Sequence, residues 1–181
     1  MSMPRPHSNC YWVRPGALLA GEYPGDLDDT AALGKLRALL EAGVTFFLDL
    51  TEPYEPGLVA PLQPYLSLLE AEAAARGQRV THRRLSIRDY GVPRSKSEMR
   101  AILDTLDAAV AAGERVYVHC WGGIGRTGTV VGCYLVRHGL TGTAALAQIA
   151  AWWGTVEKSA WHPRSPQTDA QIDYVRHWQE P

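Results

Sequence analysis

The chain has 181 residues, 46% of them hydrophobic and 20% charged, and its net charge is −1. This length fits one domain with a substantial core, and a nearly neutral charge gives no overall attraction to nucleic acid or to a membrane surface. No stretch approaches about 18 consecutive apolar residues, so membrane insertion is not expected, and three cysteines cannot all pair, which favours the reducing cytoplasm.

Strands and helices are predicted to alternate in the first half of the chain. The Pro-rich segment at residues 1–10 is predicted to be a loose N-terminal extension before the first strand. The predicted elements are an edge hairpin (Tyr11–Val13 with Ala17–Ala20), a helix that starts at an N-cap, Asp28 or Asp29, and ends at Gly43, a buried strand (Val44–Leu50), a loop (Thr51–Ala60) that could deepen a pocket, a helix (Leu62–Arg76) and a strand (Arg79–Leu85).

The second half continues the alternation. Ser95 and Glu98 have the spacing of a capping box, which opens a helix that ends at Gly113. The later elements are a strand (Arg115–His119) and three helices (Thr127–His138, Thr143–Trp153 and Thr168–Gln179). Residues 1–181 are therefore expected to form one α/β domain, with a central, mostly parallel twisted sheet of 4–5 strands flanked by helices on both faces.

The most informative segment runs from His119 to Gly128, where a strand passes through a glycine-rich loop into a helix. A Walker A loop is excluded because no Gly-Lys-Ser/Thr follows the glycines. The spacing Gly123-x-Gly125-x-x-Gly128 formally matches a dinucleotide-binding fingerprint. That motif also needs an acidic residue about 20 positions later, where this chain has Gln148 within a predicted helix.

A phosphate-binding loop accounts for the remaining residues of this segment. The backbone N–H groups of residues 121–126 and the positive end of the following helix can surround a tetrahedral oxyanion. Arg126 adds a planar guanidinium that can hold two phosphate oxygens. Cys120 lies at the mouth of this site, where the positive field favours the nucleophilic thiolate over the thiol.

The sequence Cys120-x5-Arg126-Thr127, preceded by His119, resembles the signature of the protein tyrosine phosphatase superfamily. The resemblance extends over about residues 10–180, and the length is closer to the compact dual-specificity group. It implies that Cys120 attacks phosphorus, that His119 orders the loop and supports the thiolate, and that Thr127 helps the cysteine leave. The residues expected to surround the phosphate are Trp121, Gly122, Gly123, Ile124, Gly125 and Arg126.

Expulsion of an alkoxide or phenoxide requires a proton, so a carboxylic acid is expected opposite the cysteine. Asp89 follows a predicted strand in a Gly/Pro loop, 31 residues before Cys120, and members of the superfamily place their acid similarly. Asp49, at the end of an apolar strand, is the alternative acid, although that setting favours a structural role. Asp104 and Asp107 fall within a helix pattern and are expected to face solvent.

The segment from Ser165 to Gln171 resembles the glutamine loop of the superfamily, which orients the attacking water. Gln167 and Gln171 both fit that role, and a plain helix cap would explain the same segment. His162 and Arg164, just before it, are candidates for substrate contact.

We therefore expect hydrolysis of phosphotyrosine in a protein or peptide, with phosphoserine and phosphothreonine as further candidates. An inositol phosphate or phosphoinositide phosphatase is an alternative, favoured by the basic stretch Arg79–Arg100 but disfavoured by a loop without lysine. A phosphate-binding pseudophosphatase is a third possibility. Neither metal nor other cofactor is expected, since no metal-ligand spacing is present. The oligomeric state, and protection of Cys120 by Cys10 or Cys133, stay open.

Overall fold

The central sheet has five strands in the computed structural model, which describes residues 3–55 and 62–180. The strands are β1 (Cys10–Arg14), β2 (Leu18–Gly21), β3 (Phe46–Asp49), β4 (Thr81–Arg84) and β5 (Val116–His119). The helices are α1 (Asp29–Glu41), α2 (Leu66–Ala75), α3 (Lys96–Ala111), α4 (Gly125–Arg137), α5 (Gly142–Trp153) and α6 (Asp169–Arg176), with a 3₁₀ turn at Glu157–Ala160.

The strand order is β1-β2-β5-β3-β4, and only the β1–β2 pair is antiparallel. The predicted edge hairpin and the mostly parallel sheet are thus confirmed. In the parallel part, Gly21, His119, Asp49 and Arg84 lie in register at the carboxyl ends of their strands. Loops that follow these strands leave at one edge of the sheet, which is where ligands bind in open α/β folds.

Helices cover both faces of the sheet, as the sequence predicts. One core contains Leu36 and Leu40 of α1 and Leu69 of α2, packed on Phe47 and Tyr117 of the sheet. The other core joins α3, α4, α5 and α6 to the opposite face. In the described part of the chain, no helix is both long and apolar enough to cross a membrane.

Several boundaries differ from the predictions. Helix α2 begins at Leu66, because Pro64 disfavours helical geometry for the residue before it. Helix α4 begins at Gly125, two residues before the predicted Thr127, and α6 ends at Arg176. The expected pocket loop Thr51–Ala60 falls largely on residues 56–61, which lie outside the described residues.

The first described residues pack on the domain. Arg5 Nη1 donates to the carbonyl of Thr155 at 2.8 Å, and Trp12 Nε1 donates to the carbonyl of Pro4 at 3.0 Å. Cys10 is already part of β1 and is fully buried. The segment from Met3 to Cys10 thus contacts the domain through Pro4, Arg5 and Cys10.

Candidate active site

The cysteine loop, residues 120–124, connects β5 to α4 at the carboxyl edge of the sheet. Gly123 has a φ of +73°, and a Cβ there would lie 2.5 Å from the carbonyl carbon of Gly21. Only glycine combines this backbone conformation with so close an approach. The loop is thereby held against the end of β2.

Cys120 lies at the base of this loop with 3% of its surface exposed. The hydroxyl of Thr127 donates a hydrogen bond to Cys120 Sγ over 3.1 Å. The N-terminus of α4 begins five residues after the cysteine, and its positive end favours negative charge on the sulfur.

His119 is fully buried beneath the loop and makes two hydrogen bonds. Its Nδ1 lies 3.1 Å from the carbonyl oxygen of Cys120, which can only accept, so Nδ1 carries the proton. Its Nε2 then accepts the hydroxyl of Tyr65 at 2.7 Å. Burial lowers the pKa of His119, although the charge of Asp49 opposes the shift, so the imidazole stays neutral.

Arg126 is buried at the start of α4, with 2% of its side chain exposed. Its Nη1 contacts Glu55 Oε1 at 2.6 Å and the carbonyl of Ile87 at 3.1 Å, and its Nη2 lies 3.0 Å from Asp89 Oδ1. Burial by itself would lower the pKa of Arg126, but the charges of Cys120, Glu55 and Asp89 raise it. Sequence analysis missed Glu55, which lies in an acidic, Pro-rich loop with no recognisable motif.

The cysteine loop and four other segments enclose a cavity of about 170 Å³. Cys120 and Arg126 lie in it together with Asp89 and the exposed aromatic residues Tyr90 and Trp121. The loop residues Gly122, Ile124 and Gly125 also line the cavity, as do Lys158, His162, Gln167 and Gln171. The described residues include no cluster of His, Cys, Asp and Glu that could hold a metal ion.

Asp89 reaches the cavity from the loop that follows β4. Arg88 accepts a backbone hydrogen bond from Gly91 at 2.9 Å, which closes a tight turn around Asp89 and Tyr90. Tyr90 has a φ of +57°, a conformation that is strained for a non-glycine residue and that occurs most often at functional sites. The turn leaves the Asp89 carboxylate beside the guanidinium of Arg126.

Asp49, the alternative acid, is buried outside the cavity. It accepts hydrogen bonds from His82 at 3.2 Å, from Arg84 at 3.0 Å and from the Thr51 hydroxyl at 2.6 Å. Burial alone would raise its pKa, but the imidazoles of His119 and His82 and the Thr51 hydrogen bonds lower it well below its usual value. The Asp49 carboxylate thus holds the carboxyl ends of β3 and β4 together through these hydrogen bonds. Asp104 is exposed to solvent, as expected, and Asp107 is half-buried; both pair with Arg137 of α4.

The two candidate glutamines occupy different environments. Gln171 is fully buried and completes a capping box with Thr168, while its Nε2 donates to the carbonyl of Gly91 at 3.0 Å. Gln167 is half-buried, lines the cavity, and makes no side-chain hydrogen bond within the described part of the chain. Arg164 donates to the carbonyl of Gln167 at 2.7 Å and pairs with Asp169 instead of facing the cavity.

Lys158, which sequence analysis missed, lines the cavity from the 3₁₀ turn. Its Nζ lies 2.5 Å from Glu22 Oε2 and 3.4 Å from the carbonyl of Gly122. A lysine in a turn after a helix carries no sequence signal of such a role. The tertiary structure thus brings a positive charge to a loop that has no lysine of its own.

All three cysteines are free thiols. Burial raises the pKa of Cys10 to about 11 and raises that of Cys133 even further. Both side chains therefore stay protonated at neutral pH, and neither lines the cavity that contains Cys120.

Two curated relatives match part of this chain. The putative tyrosine phosphatase 067L of Invertebrate iridescent virus 3 is 30% identical over 104 residues, 56% of this chain and 38% of that protein. The phosphatidylglycerophosphate phosphatase PTPMT1 of Arabidopsis thaliana is 32% identical over 100 residues, 55% of this chain and 26% of that protein. The matches thus span well under half of either relative.

The crystal structure of Tk-PTP in its active form has the same fold. It superposes with a TM-score of 0.62 at 24% identity, over 93% of this chain and 94% of that one. The family model PTP-SAK, described as a Swiss Army Knife protein, DSP-PTPase phosphatase domain, matches residues 7–179. The chain therefore belongs to this family of cysteine-based phosphatases, within the compact dual-specificity-like group of the protein tyrosine phosphatase superfamily.

Proposed function

We propose that this protein hydrolyses phosphotyrosine in other proteins through a phosphocysteine intermediate, with phosphoserine and phosphothreonine as further substrates. One observation carries the proposal: a buried Cys120 sulfur, hydrogen-bonded by Thr127, shares a cavity with Arg126 and Asp89. A cytoplasmic location suits this chemistry, because a reducing compartment keeps Cys120 as a free thiol.

In the first step the substrate phosphate binds the loop N–H groups and Arg126. A phosphate oxygen replaces Asp89 on Nη2, while Glu55 keeps its contact with Nη1. Cys120 Sγ forms the S–P bond as the ester P–O bond breaks, and Asp89 gives its proton to the leaving oxygen.

In the second step water attacks the phosphocysteine. Gln167, which lines the cavity and whose side chain makes no hydrogen bond among the described residues, orients that water. Asp89 takes the proton of the water as the S–P bond breaks, and the hydroxyl of Thr127 stabilises the departing thiolate. Gln171, committed to its capping box, positions α6 and the acid loop.

The cavity walls support an aryl phosphate. Tyr90 and Trp121 stand on its rim with 60% and 50% of their surfaces exposed. Aromatic rings pack well on one another at offset or edge-to-face geometry, so the ring of a phosphotyrosine would bury both side chains. A phosphoserine offers no comparable surface.

A phosphoinositide or another phospholipid is the second candidate substrate. Lys158 and His162 line the cavity and could meet a second anionic group, and the Arabidopsis relative is named for a lipid phosphate. However, Glu22 already pairs with Lys158, which weakens the attraction for a further anion.

A substrate panel tests the proposal. We expect kcat/KM for phosphotyrosyl peptides to exceed that for phosphoseryl peptides and for soluble phosphoinositides by at least about 10-fold, roughly the 1.4 kcal/mol that one aromatic contact supplies. A higher value for a phosphoinositide would replace the protein substrate with a lipid. Binding of all three without turnover would identify a pseudophosphatase.

A further inference from the structure

Strand β4 forms an open edge of the sheet. It pairs only with β3 among the described strands, and Thr81, Arg83 and Arg84 are exposed. The N–H groups of Thr81 and Leu85 donate to carbonyls on the β3 side. Because backbone groups alternate in direction along a parallel strand, those of His82 and Arg84 point outward, where a further strand could pair.

The same edge carries positive charge that no acid neutralises. Arg79, Arg83 and Arg88 are exposed and form no ion pair with any described residue. Residues 56–61 contain no charged side chain, so they cannot supply a partner. By contrast, the exposed Arg37 and Arg176 are each paired with a nearby acid. Three unpaired arginines thus lie close together in the sequence, just before β4, on β4 and in the turn after it.

The direction of β4 connects this edge to the active site. Its carboxyl end lies in register with that of β5, and the loop after β4 carries Asp89 into the cavity. Strands are spaced about 4.8 Å apart, so a strand added outside β4 would lie roughly 14 Å from β5. An extended peptide spans that distance in about four or five residues at ~3.3 Å each.

We propose that the outer edge of β4, with Arg79, Arg83 and Arg88, docks an acidic, extended segment of the phosphoprotein substrate. This segment lies about four to eight residues from the phosphorylated residue and pairs with β4 as a sixth strand. The inference rests on the proposed function, whose substrate class it narrows to phosphotyrosines with acidic flanks. An extended chain fits better than an anionic membrane, because it also satisfies the outward backbone groups of β4.

Matched phosphotyrosyl peptides test the docking. Each pair shares a core and differs by four glutamates or four glutamines at positions four to eight, before or after the phosphotyrosine. We expect the acidic flank on one side to raise kcat/KM about 10-fold through KM, since a few exposed ion pairs contribute ~0.2–1 kcal/mol each. The gain should shrink as salt rises. Arg79→Gln/Arg83→Gln should abolish it, and the control Arg37→Gln/Arg176→Gln should preserve it.

Strand pairing is tested separately with an acidic peptide that is N-methylated at alternate flanking amides. This peptide keeps its charge and should lose most of the gain, because methylation removes the N–H donors. Three results would overturn the docking. They are an equal kcat/KM for acidic and neutral flanks, a gain in kcat/KM that survives Arg79→Gln/Arg83→Gln, and a methylated peptide that is hydrolysed as fast as the unmethylated one. Arginine-dependent binding to phosphatidylserine vesicles without any peptide preference would also overturn it.

A binding measurement separates this inference from the proposed function. Fluorescence anisotropy of an unphosphorylated acidic peptide should report binding that Arg79→Gln/Arg83→Gln weakens, whatever the catalytic result. If every phosphopeptide resists hydrolysis while p-nitrophenyl phosphate is turned over, the proposed protein substrate is wrong. Absence of arginine-dependent anisotropy would overturn the docking even if all phosphopeptides are hydrolysed.

Discussion

The two sides of the cavity differ in how firmly they are held. On the nucleophile side His119, Cys120, Arg126 and Thr127 are almost completely buried. Cys120 accepts hydrogen bonds from His119 and Thr127, and Arg126 is held by Glu55 and the carbonyl of Ile87. On the acid side, Asp89 is a quarter exposed and is held by one ion pair and a strained turn. In the proposed mechanism the core therefore preorganises the nucleophile, whereas the acid depends on a contact for which the substrate phosphate competes.

Glu55 links the two sides. Because it holds Nη1 of Arg126 from a buried position, the guanidinium keeps its orientation when Asp89 is displaced from Nη2. The phosphate site therefore stays formed while the acid turns toward the leaving group. Substitutions on one side of the cavity therefore test whether the other side keeps its function.

The largest effect is expected for Cys120→Ser. Turnover should fall by more than about 10⁵-fold, the scale on which removal of a nucleophile acts. Inorganic phosphate should still bind, because Arg126 and the loop N–H groups remain. Kinetics and calorimetry measure the two quantities. Cys133→Ser, the same change at another buried cysteine, should leave kcat unchanged, and appreciable turnover by Cys120→Ser would contradict the mechanism.

Asp89→Asn should lower kcat by about 10²–10⁴ for an ester with a basic leaving group. The loss should shrink for activated esters, whose leaving groups need no proton, and kcat/KM should lose its alkaline limb. Phosphate should bind more tightly to this variant, since a neutral amide competes less well for Arg126. A pH-rate series over several aryl phosphates measures these changes.

Asp49→Asn is the matched control for the acid. It removes a buried carboxylate from the same edge of the sheet, so the free energy of unfolding should fall while the dependence on the leaving group stays that of the wild type. An equal loss for all substrates in Asp89→Asn, with leaving-group dependence in Asp49→Asn, would move the acid to Asp49.

The buried imidazole of His119 predicts a pH-dependent stability on the nucleophile side. Its pKa is lowered from 6.5 in the fold, so below pH 6.5 the unfolded chain binds a proton that the folded chain does not. The free energy of unfolding should therefore decrease as the pH falls from 6.5, by up to about 1.4 kcal/mol per pH unit. Denaturant titrations from pH 7 to 4.5 measure the slope.

His7 contributes in the same window, because burial lowers its pKa to about 4. His7→Gln should remove its share of the slope and leave that of His119. In NMR spectra, His119 should keep its proton on Nδ1 and stay neutral below pH 6.5. A His119 that titrates with an unshifted midpoint would contradict the buried hydrogen-bonded arrangement.

The smallest effects concern the two glutamines. Gln171→Ala should lower the free energy of unfolding by about 1 kcal/mol, the usual contribution of a helix cap. Gln167→Ala should leave stability unchanged and slow hydrolysis of the phosphocysteine, which rapid-quench kinetics would detect as a burst. The reverse assignment would follow if Gln171→Ala produced the burst with normal stability.

Local sequence predicted the contiguous parts of this protein. The helix caps at Asp28, Ser95 and Thr168 each use a side chain that accepts a hydrogen bond from the first turn, a contact within three residues. The cysteine loop is similar, because its glycines, Cys120 and Arg126 occupy one run of chain between a strand and a helix. Such features depend on spacing, and spacing can be read from one sequence.

Contacts between distant segments required the tertiary structure. Glu55 and Arg126 are 71 residues apart, and Lys158 reaches the carbonyl of Gly122 from a turn that no pattern predicted. Tyr65, whose hydroxyl donates to Nε2 of His119, precedes a helix in another part of the chain. None of these residues differs in local pattern from an ordinary surface or core residue.

The sequence by itself thus determined the alternation of strands and helices, the family, and the arrangement of the glycines, Cys120 and Arg126 along the cysteine loop. Each of these depends on residues that are close together in the chain. The tertiary structure decided which carboxylates meet Arg126, which of the two cavity-lining glutamines is buried in a capping box, and which described strand lies at the edge of the sheet. Those choices depend on burial and on the packing of distant segments, which bring side chains together through the free energy of the whole core.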